Sequence, residues 1–377
     1  MNVLIAPDKF KGTLTAEEVC DAVTRGLQRG GLKATVQQFP LADGGEGTLE
    51  VFRYHAGGAL VAVEVHDPLM RLITAHYAVS EDGDTAFIEM ARASGLQLLL
   101  PEERNPLKTT SFGTGELIRD ALNRGVKKMI IGIGGTATND ASLGTFVALG
   151  GRTLDAHGNE LFPRGENLEL IHDLDFSLLH PALANVEITA ICDVSNPFYG
   201  KDGAAFVYAP QKGATDEMVQ ALDRGLQQVA RVIRSSRSID LQDVTGSGAG
   251  GGFAGGVYAL MHAALKPGID VVMEMVQLDK ALSHADVIIT GEGKIDQQTL
   301  QGKVVAGVAS QARQVKKPVI AVCGVCQLSE NQWRTLPADY VFSLVDFAGE
   351  HQAMNNAAES LEQLVAAKLI PVLKQKG

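Results

Sequence analysis

An α/β protein of two parts is what this sequence predicts: a three-layer domain built from both ends of the chain, and a second α/β domain with a mixed sheet inserted into it. Three observations carry that expectation. Short apolar runs alternate with amphipathic stretches near both termini, the rhythm of parallel βαβ units. The middle of the chain shows period-2 alternation around a tight-turn sequence, which favours antiparallel pairing. A chain of 377 residues also exceeds what a single hydrophobic core ordinarily supports.

The elements follow in order. Val3–Ala6 is a short apolar strand. Thr15 offers an N-cap and Glu18, three residues on, completes a capping box, so a helix runs from there to about Arg29 and stops at Gly30-Gly31. Ala34–Phe39 is a second strand, and a helix is expected from about Glu46 to His55. Leu60–Val65 alternates, Leu72–Val79 is strand-like, and the turn Glu81-Asp82-Gly83-Asp84 leads into Thr85–Glu89. Met129–Ile133, Val186–Ile191 and Ala205–Tyr208 read as further strands, and Ala249–Leu265 as a buried, uncharged helix. Val287–Ile289, Pro318–Cys323 and Tyr340–Val345 are strands separated by helical stretches. The alternation at the two ends is that of a Rossmann-like domain. Residues 1–67 and 285–377 are assigned to it and 68–284 to the insert, with an active site expected in the cleft between them.

Bulk properties exclude several functions. The net charge of −11 argues against nucleic acid or an anionic membrane as partner. Any anionic ligand must therefore be held by a few lysines, backbone N–H groups or a metal. Ala249–Leu265 is glycine-rich and falls short of the roughly 20 residues a membrane span needs. The first residues reach Pro7 and Asp8 too early for a secretory signal, and four cysteines suit a reducing compartment, so a cytoplasmic location is expected. Cys323 and Cys326 form a C-x-x-C without a second pair, which reads as two free thiols rather than a zinc site. The residues allow a homo-oligomer without requiring one.

Five predicted strand ends carry aspartate, lysine and glycine. In open parallel sheets ligands sit beyond the carboxyl ends of the strands. Asp8, Lys9 and Lys11 follow the first strand, and Asp43, Gly44, Gly45 and Glu46 the second. Gly132, Gly134, Gly135, Thr136, Asn139 and Asp140 follow the strand at 129–133, and Asp193 and Asn196 the strand ending at Ile191. Glu292, Lys294 and Asp296 follow the strand ending at Ile289, with Lys303 a little further on. Aspartate and glycine favour turns individually, but their recurrence at five ends points to one polar site.

Glycine-rich turns before helices present bare N–H groups to phosphate oxygens. Gly132-Ile-Gly134-Gly135-Thr136-Ala137 follows a strand and has such a shape, and Gly246–Gly251 repeats it, making Gly248, Gly250 and Gly251 further candidates. For the second run, close packing through glycine is the competing explanation. No Walker A sequence and no protein-kinase signature set are present. Phosphoryl transfer needs positioning, a divalent cation and a carboxylate near the attacking hydroxyl. Asp43, Asp193 and Asp296 are carboxylates at strand ends, and Lys9, Lys11 and Lys303 can hold a small anion or phosphates. Hydride transfer fits less well, because no histidine is paired with an acid at a strand end.

The stretches APDKFKGTLTAEEV, PLADGGEGT, DPLMR, IEMARASGLQLL, ERNPLKTTSFGTGELI, GIGGTATND, CDVSNPFYG, APQKGA and TGEGKIDQQTLQGKVVAGVA occur in order over nearly the whole chain. Together they resemble the bacterial class I glycerate kinase family. The resemblance implies a Rossmann- or flavodoxin-like domain with a second α/β domain, and ATP-dependent phosphorylation of D-glycerate to 2-phosphoglycerate in sugar-acid catabolism. The 3-phosphate product, another small hydroxy acid, and a non-catalytic glycerate sensor are the alternatives. In that reading Asp193, Lys9, Asp43 and Asp296 are catalytic, Asp193 being the expected proton acceptor. Lys9, Lys11, Asp8, Asn196 and Lys303 bind the substrate. Gly134, Gly135, Thr136, Gly248, Gly250, Gly251, Glu292 and Lys294 hold the nucleotide, and Asp193 and Asp296 bind Mg²⁺. Ser195 and Val304 depart from the family pattern, where aspartate and proline are usual.

Overall fold

The structure is a computed structural model that describes residues 1–45 and 47–376. Glu46, the expected start of the second helix, lies outside the described residues; that helix is Thr48–Ala56. The chain divides into two compact units, one of Met1–His55 with the residues from Gly268 onward, the other Ala56–Pro267. The sequence reading had set the divisions at 67/68 and 284/285.

The strands of the first unit are β1 (Asn2–Pro7), β2 (Thr35–Gln38), β11 (Val287–Ile295), β12 (Val319–Cys326) and β13 (Tyr340–Ser343). Among the described residues they form one five-stranded sheet, order β13-β12-β11-β1-β2, with every pair parallel. Counted within the unit this is the 2-1-3-4-5 order of flavodoxin-like domains, whose direction of progress reverses between β1 and β11. Residues of β1 alternate between two cores, Val3 and Ile5 on one face and Leu4 and Ala6 on the other. Burial on both faces is why these strands read as continuous apolar runs.

Helix Ala16–Arg29 covers the first face. Its capping box forms as expected, the Thr15 N–H donating to Glu18 Oε2 (2.8 Å) and the Glu18 N–H to Thr15 Oγ1 (3.2 Å). Gly26 lets this helix lie on the carboxyl-terminal helical segment, since a Cβ there would sit 2.6 Å from Val365 Cβ. Helices Gly268–Met275, Leu278–His284 and Val304–Gln314 cover the other face.

One expectation about this unit is corrected. The stretch from Gly291 to Ile295 is not a loop; β11 continues through it. Gly291, Glu292, Lys294 and Ile295 stay paired with Val322, Cys323, Val325 and Cys326 of β12. Paired glycines make room: a Cβ on Gly293 would lie 2.8 Å from the Lys11 nitrogen, and one on Gly324 would lie 2.6 Å from the Gly293 oxygen.

The second unit holds β3 (Ala59–His66), β4 (Leu72–Val79), β5 (Thr85–Glu89), β6 (Lys128–Gly132), β7 (Arg152–Leu154), β8 (Asp173–Asp175), β9 (Glu187–Ile191) and β10 (Ala264–Lys266). Its main sheet runs β10-β9-β6-β5-β4-β3; β3, β4 and β5 pair antiparallel, and β5, β6, β9 and β10 are parallel. β7 and β8 form a separate hairpin-like pair. Ala205–Tyr208, expected as a strand, lies in the helix Ala204–Tyr208, with Ala204 and Ala205 buried and Phe206 and Val207 outward. Five apolar residues carry no period that separates strand from helix. The uncharged stretch at 249–265 is also shorter as a helix than expected. Helix Phe253–Met261 ends at His262 in a left-handed conformation, and β10 follows. Among the described residues no helix is long and apolar enough to cross a membrane.

Candidate active site

In the first unit the charged residues gather at the carboxyl ends of β1, β2 and β11, around the point where strand order reverses. That is where open α/β sheets place their ligands. Asp8 leaves β1 with its N–H donating to the Gly291 oxygen (2.7 Å), and its carboxylate accepts from the Lys9 N–H (2.7 Å). Its side chain is buried, and burial pushes its pKa up to about 7; the Asp43 and Glu292 carboxylates add to the rise, while the Lys9 amide and ammonium oppose it. Glu292 is likewise raised to about 7, first by burial and then by Asp296 and Asp43, against the Thr299 hydroxyl and Lys303. Thr299 Oγ1 donates to Glu292 Oε1.

Asp43 stands in the turn after β2, where its Oδ1 accepts from the Gly45 N–H (3.1 Å). Helix Gly268–Met275 starts against this turn; a Cβ on Gly268 would lie 2.2 Å from the Asp43 carbonyl oxygen. Lys9 is half-buried and its side chain runs past Gly47, whose Cβ position is 3.8 Å from Lys9 Cδ. Lys303 is the N-cap residue of helix Val304–Gln314, so an ammonium and a helix amino terminus are adjacent there. Asp8, Lys9, Asp43, Glu292 and Lys303, five of the residues the sequence singles out, are therefore coupled electrostatically.

Other expected members are differently engaged. Lys294 Nζ pairs with Asp296 Oδ2 at 2.9 Å, and this bond holds the Asp296 pKa below its ordinary value. Asp296 Oδ1 also accepts from the Gln298 N–H (2.8 Å), closing its own turn. Lys11 is exposed.

The second unit brings together three loops the sequence had singled out. The β6 loop at 133–142 and the β9 loop at 192–197 leave neighbouring strand ends, Gly132 standing in register with Ile191. The glycine run packs back on both. The Gly248 N–H donates to the Asn196 oxygen (3.1 Å), and a Cβ on Gly251, at φ +76°, would lie 2.2 Å from the Thr138 oxygen. Gly248 and Gly251 thus serve close packing, while Gly250 is half-exposed. Gly134 and Gly135 are exposed at the lip of the β6 loop, and a Cβ on Gly134 would meet open space. Thr136 lies just behind them. Asn196 has both ends of its amide occupied, donating to the Asp202 oxygen (2.8 Å) and accepting from the Tyr208 hydroxyl (2.6 Å). Asp193 is exposed beside it.

Sequence reasoning missed Lys212. It lies in a 3₁₀ turn, fully buried, and donates to Thr136 Oγ1 (3.1 Å) and the Thr138 oxygen (2.6 Å). Burial lowers its pKa to about 7, with the buried Asp140 carboxylate opposing the drop. A lysine in Pro-Gln-Lys-Gly reads as a surface turn, and nothing local distinguishes it. The four cysteines are free, and Cys323 lies opposite Glu292 in the sheet.

The chain is similar over nearly its whole length to known proteins. The sequence profile described as "Glycerate kinase family" matches residues 3–372. The chain is 44% identical over 324 residues to glycerate 2-kinase of Escherichia coli K12, covering 86% of this chain and 85% of that one. It is 41% identical over 376 residues to glycerate kinase of Haemophilus influenzae, covering 98% and 100%. A crystal structure described as a glycerate kinase 2 from Salmonella typhimurium LT2 superposes with a TM-score of 0.90 at 43% identity, over 100% of this chain and 98% of that one. A charged cluster at the switch point of a flavodoxin-like sheet, a second unit with glycine-bearing strand ends, and full-length similarity to these enzymes lead to one conclusion: the chain belongs to the glycerate kinase family and is a kinase.

Proposed function

We propose that the chain transfers the γ-phosphoryl group of ATP to the 2-hydroxyl of D-glycerate, giving 2-phosphoglycerate. The observation that carries this reading is the pair of buried carboxyls, Asp8 and Glu292, poised near pH 7 among Asp43, Lys9 and Lys303. A proton acceptor works best with a pKa near the working pH. Asp8 is accordingly assigned the glycerate hydroxyl proton, and Asp193 is the competing assignment. Lys9, with Lys11 on the same loop, supplies positive charge for the glycerate carboxylate. Lys303 and the amino terminus it caps favour an anion such as a phosphoryl group. In the second unit the open Gly134-Gly135 lip and Thr136 are assigned to nucleotide phosphates.

Magnesium suits the donor set. Asp43 and Glu292 offer hard carboxylate oxygens, and an excess of acids favours a cation. Among the described residues no three or more His, Cys, Asp or Glu side chains gather as a protein-only metal cage. Magnesium ordinarily takes one or two carboxylates and completes its shell with phosphate oxygens and water. Asp43 and Glu292 would hold it, in preference to Asp296, whose charge Lys294 already neutralises. When bound, the ion neutralises charge on the β- and γ-phosphates.

The test is ADP release from Mg²⁺-ATP across a panel of small hydroxy acids, followed by ³¹P NMR of the product. Turnover with D-glycerate and a phosphorus coupled to a single proton on C2 support the reading. Phosphate on C3, or turnover confined to another acid, overturns it.

A further inference from the structure

Lys212 is buried in the second unit with its ammonium on the β6 loop. Both bonds it makes go to that loop, one to the Thr136 hydroxyl oxygen and one to the Thr138 carbonyl. The loop is otherwise an unusual structure. Ala141 and Ser142 are in left-handed conformations at φ 54° and 60°. The side chains of Thr138, Asn139 and Ser142 and one Asp140 oxygen are buried without a hydrogen-bond partner. Such a segment does not hold its shape through its own bonds. Asp140 anchors one end, accepting from the N–H groups of Ser111 (2.6 Å) and Gly144 (3.2 Å). At the end that leads to the exposed Gly134 and Gly135, the Leu96 N–H donates to the Gly135 oxygen and the Ala137 N–H to the Ser94 oxygen (2.9 Å each), which fixes the backbone, and Lys212 adds its bond to the Thr136 hydroxyl.

The chemistry of the Thr136 bond has a direction. A protonated lysine has no acceptor, so Thr136 Oγ1 must accept. The Thr136 O–H is then left to donate elsewhere, and Thr136 stands directly behind the open glycines, only 5% exposed. We propose that Lys212 is a positioning residue for nucleotide binding: by occupying the oxygen of Thr136 it turns that hydroxyl outward as a donor to a phosphate oxygen. This rests on the assignment of the β6 loop to the nucleotide. Asp140 is the charged group that acts on Lys212 among the described residues, and it keeps the ammonium form populated near neutrality.

The experiment is a double-mutant cycle with Lys212→Met and Thr136→Val, reading the Kd of Mg²⁺ with the non-hydrolysable analogue AMP-PNP by calorimetry, and the KM values for ATP and D-glycerate. Each single variant is expected to weaken AMP-PNP about tenfold, and the double variant no further, because both remove the same oriented donor. The KM for D-glycerate is expected to stay within about twofold, a split that general loosening of the unit would not give. If Thr136→Val weakens AMP-PNP but Lys212→Met does not, or if the two losses add, the positioning role is wrong while the nucleotide assignment stands. If neither variant weakens AMP-PNP, the assignment of the loop fails and the proposal goes with it. Should Lys212→Met not fold, the AMP-PNP Kd is followed from pH 6 to 9 in the unaltered protein and in Thr136→Val. The second protein cancels the titration of the nucleotide itself. A neutral Lys212 can accept the Thr136 proton and withdraw it, so the unaltered protein is expected to lose affinity more steeply above pH 7; parallel curves overturn the proposal.

Discussion

The two units solve the same problem, holding polar groups at the carboxyl ends of parallel strands, with different materials. The first uses charge: Asp8, Asp43 and Glu292 act on one another beside Lys9 and Lys303, and burial, with that repulsion added, raises the pKa of Asp8 and of Glu292 to about 7. The second uses backbone and hydroxyl groups, with one buried lysine behind the lip. Crowded acids are costly to bury and are kept where a proton or a metal must be handled. Bare glycine amides and a threonine cost little and suit a phosphate chain that brings its own charge. The difference is what supports the proposal that reaction chemistry belongs to the first unit and nucleotide binding to the second.

The largest expected effect tests that assignment directly. Asp8→Asn is expected to lower kcat by about 10²–10⁴, the range for loss of a general base, with the KM for ATP little changed. In the unaltered enzyme the rate should rise with pH along a limb at or below pH 7, because Mg²⁺ on Asp43 and Glu292 would remove two of the causes of the raised Asp8 pKa. Asp193→Asn, measured in parallel, decides between the two proton acceptors. A variant at Thr136 that costs more in kcat than Asp8→Asn would reverse the assignment of the units.

Much of this contrast was legible in the residues. The strand-end aspartates, lysines and glycines are local signals, as are the Thr15–Glu18 capping box and the strands around the Asp82-Gly83 turn. What was not legible depended on distant pairing. Gly291–Ile295 looks like a loop because glycine and charge are poor strand formers; it is a strand because β12 runs beside it to Cys326. Asp296 reads as a metal ligand from its place after a strand, and its ion pair with Lys294 depends on side-chain geometry that spacing does not show. Lys212 looks like any turn lysine, and only tertiary burial sets it apart. The glycines at 248 and 251 were ambiguous for a related reason, because sequence shows a missing side chain without showing what occupies its place.

Gly251 and Gly134 would place a Cβ in opposite surroundings. Gly251→Ala puts a Cβ 2.2 Å from the Thr138 oxygen at a left-handed φ of +76°, so it is expected to destabilise this unit by about 2–4 kcal/mol in denaturant unfolding. Gly134→Ala adds a methyl group to open space and should leave stability within about 0.5 kcal/mol. If phosphate approaches Gly134 closely, the same substitution raises the KM for ATP. Unchanged KM would move the nucleotide away from that lip.

A smaller effect tests the cost of charge in the first unit. Asp8 has its pKa raised from 3.8 to about 7 in the folded state. The protonated form is therefore the one the fold favours. Its contribution is fully present below the unfolded pKa and is lost as pH rises through about 7. Asp8→Asn removes a charge the fold opposes at pH 8 and is expected to raise Tm there by roughly 3–6 °C. At pH 5 the gain should be clearly smaller, and it should vanish only as pH falls below about 3.8, the unfolded value. An equal gain at both pH values would mean that packing, not charge, is responsible.

The smallest expected effect concerns the thiols on β12, next to the charged cluster. Cys326 is half-buried and its pKa is lowered to about 6, chiefly by a hydrogen bond from Cys323. Cys323 is buried and raised well above the ordinary thiol value, with that same bond as the leading cause. The thiolate is the nucleophile, so Cys326 is expected to alkylate first with iodoacetamide, at a rate that levels off above about pH 7. Cys323→Ala is expected to slow it several-fold near pH 6.5, because the Cys326 thiolate then loses the hydrogen-bond partner that lowers its pKa. Peptide mapping by mass spectrometry reads both. Bound Mg²⁺-ATP supplies the link to the comparison: Glu292 stands in register with Cys323, and neutralising its charge removes a cause of the raised Cys323 pKa. If the ion is held by Asp43 and Glu292, labelling of Cys323 should rise slightly on adding Mg²⁺-ATP, while labelling of Cys192 in the other unit serves as the internal control.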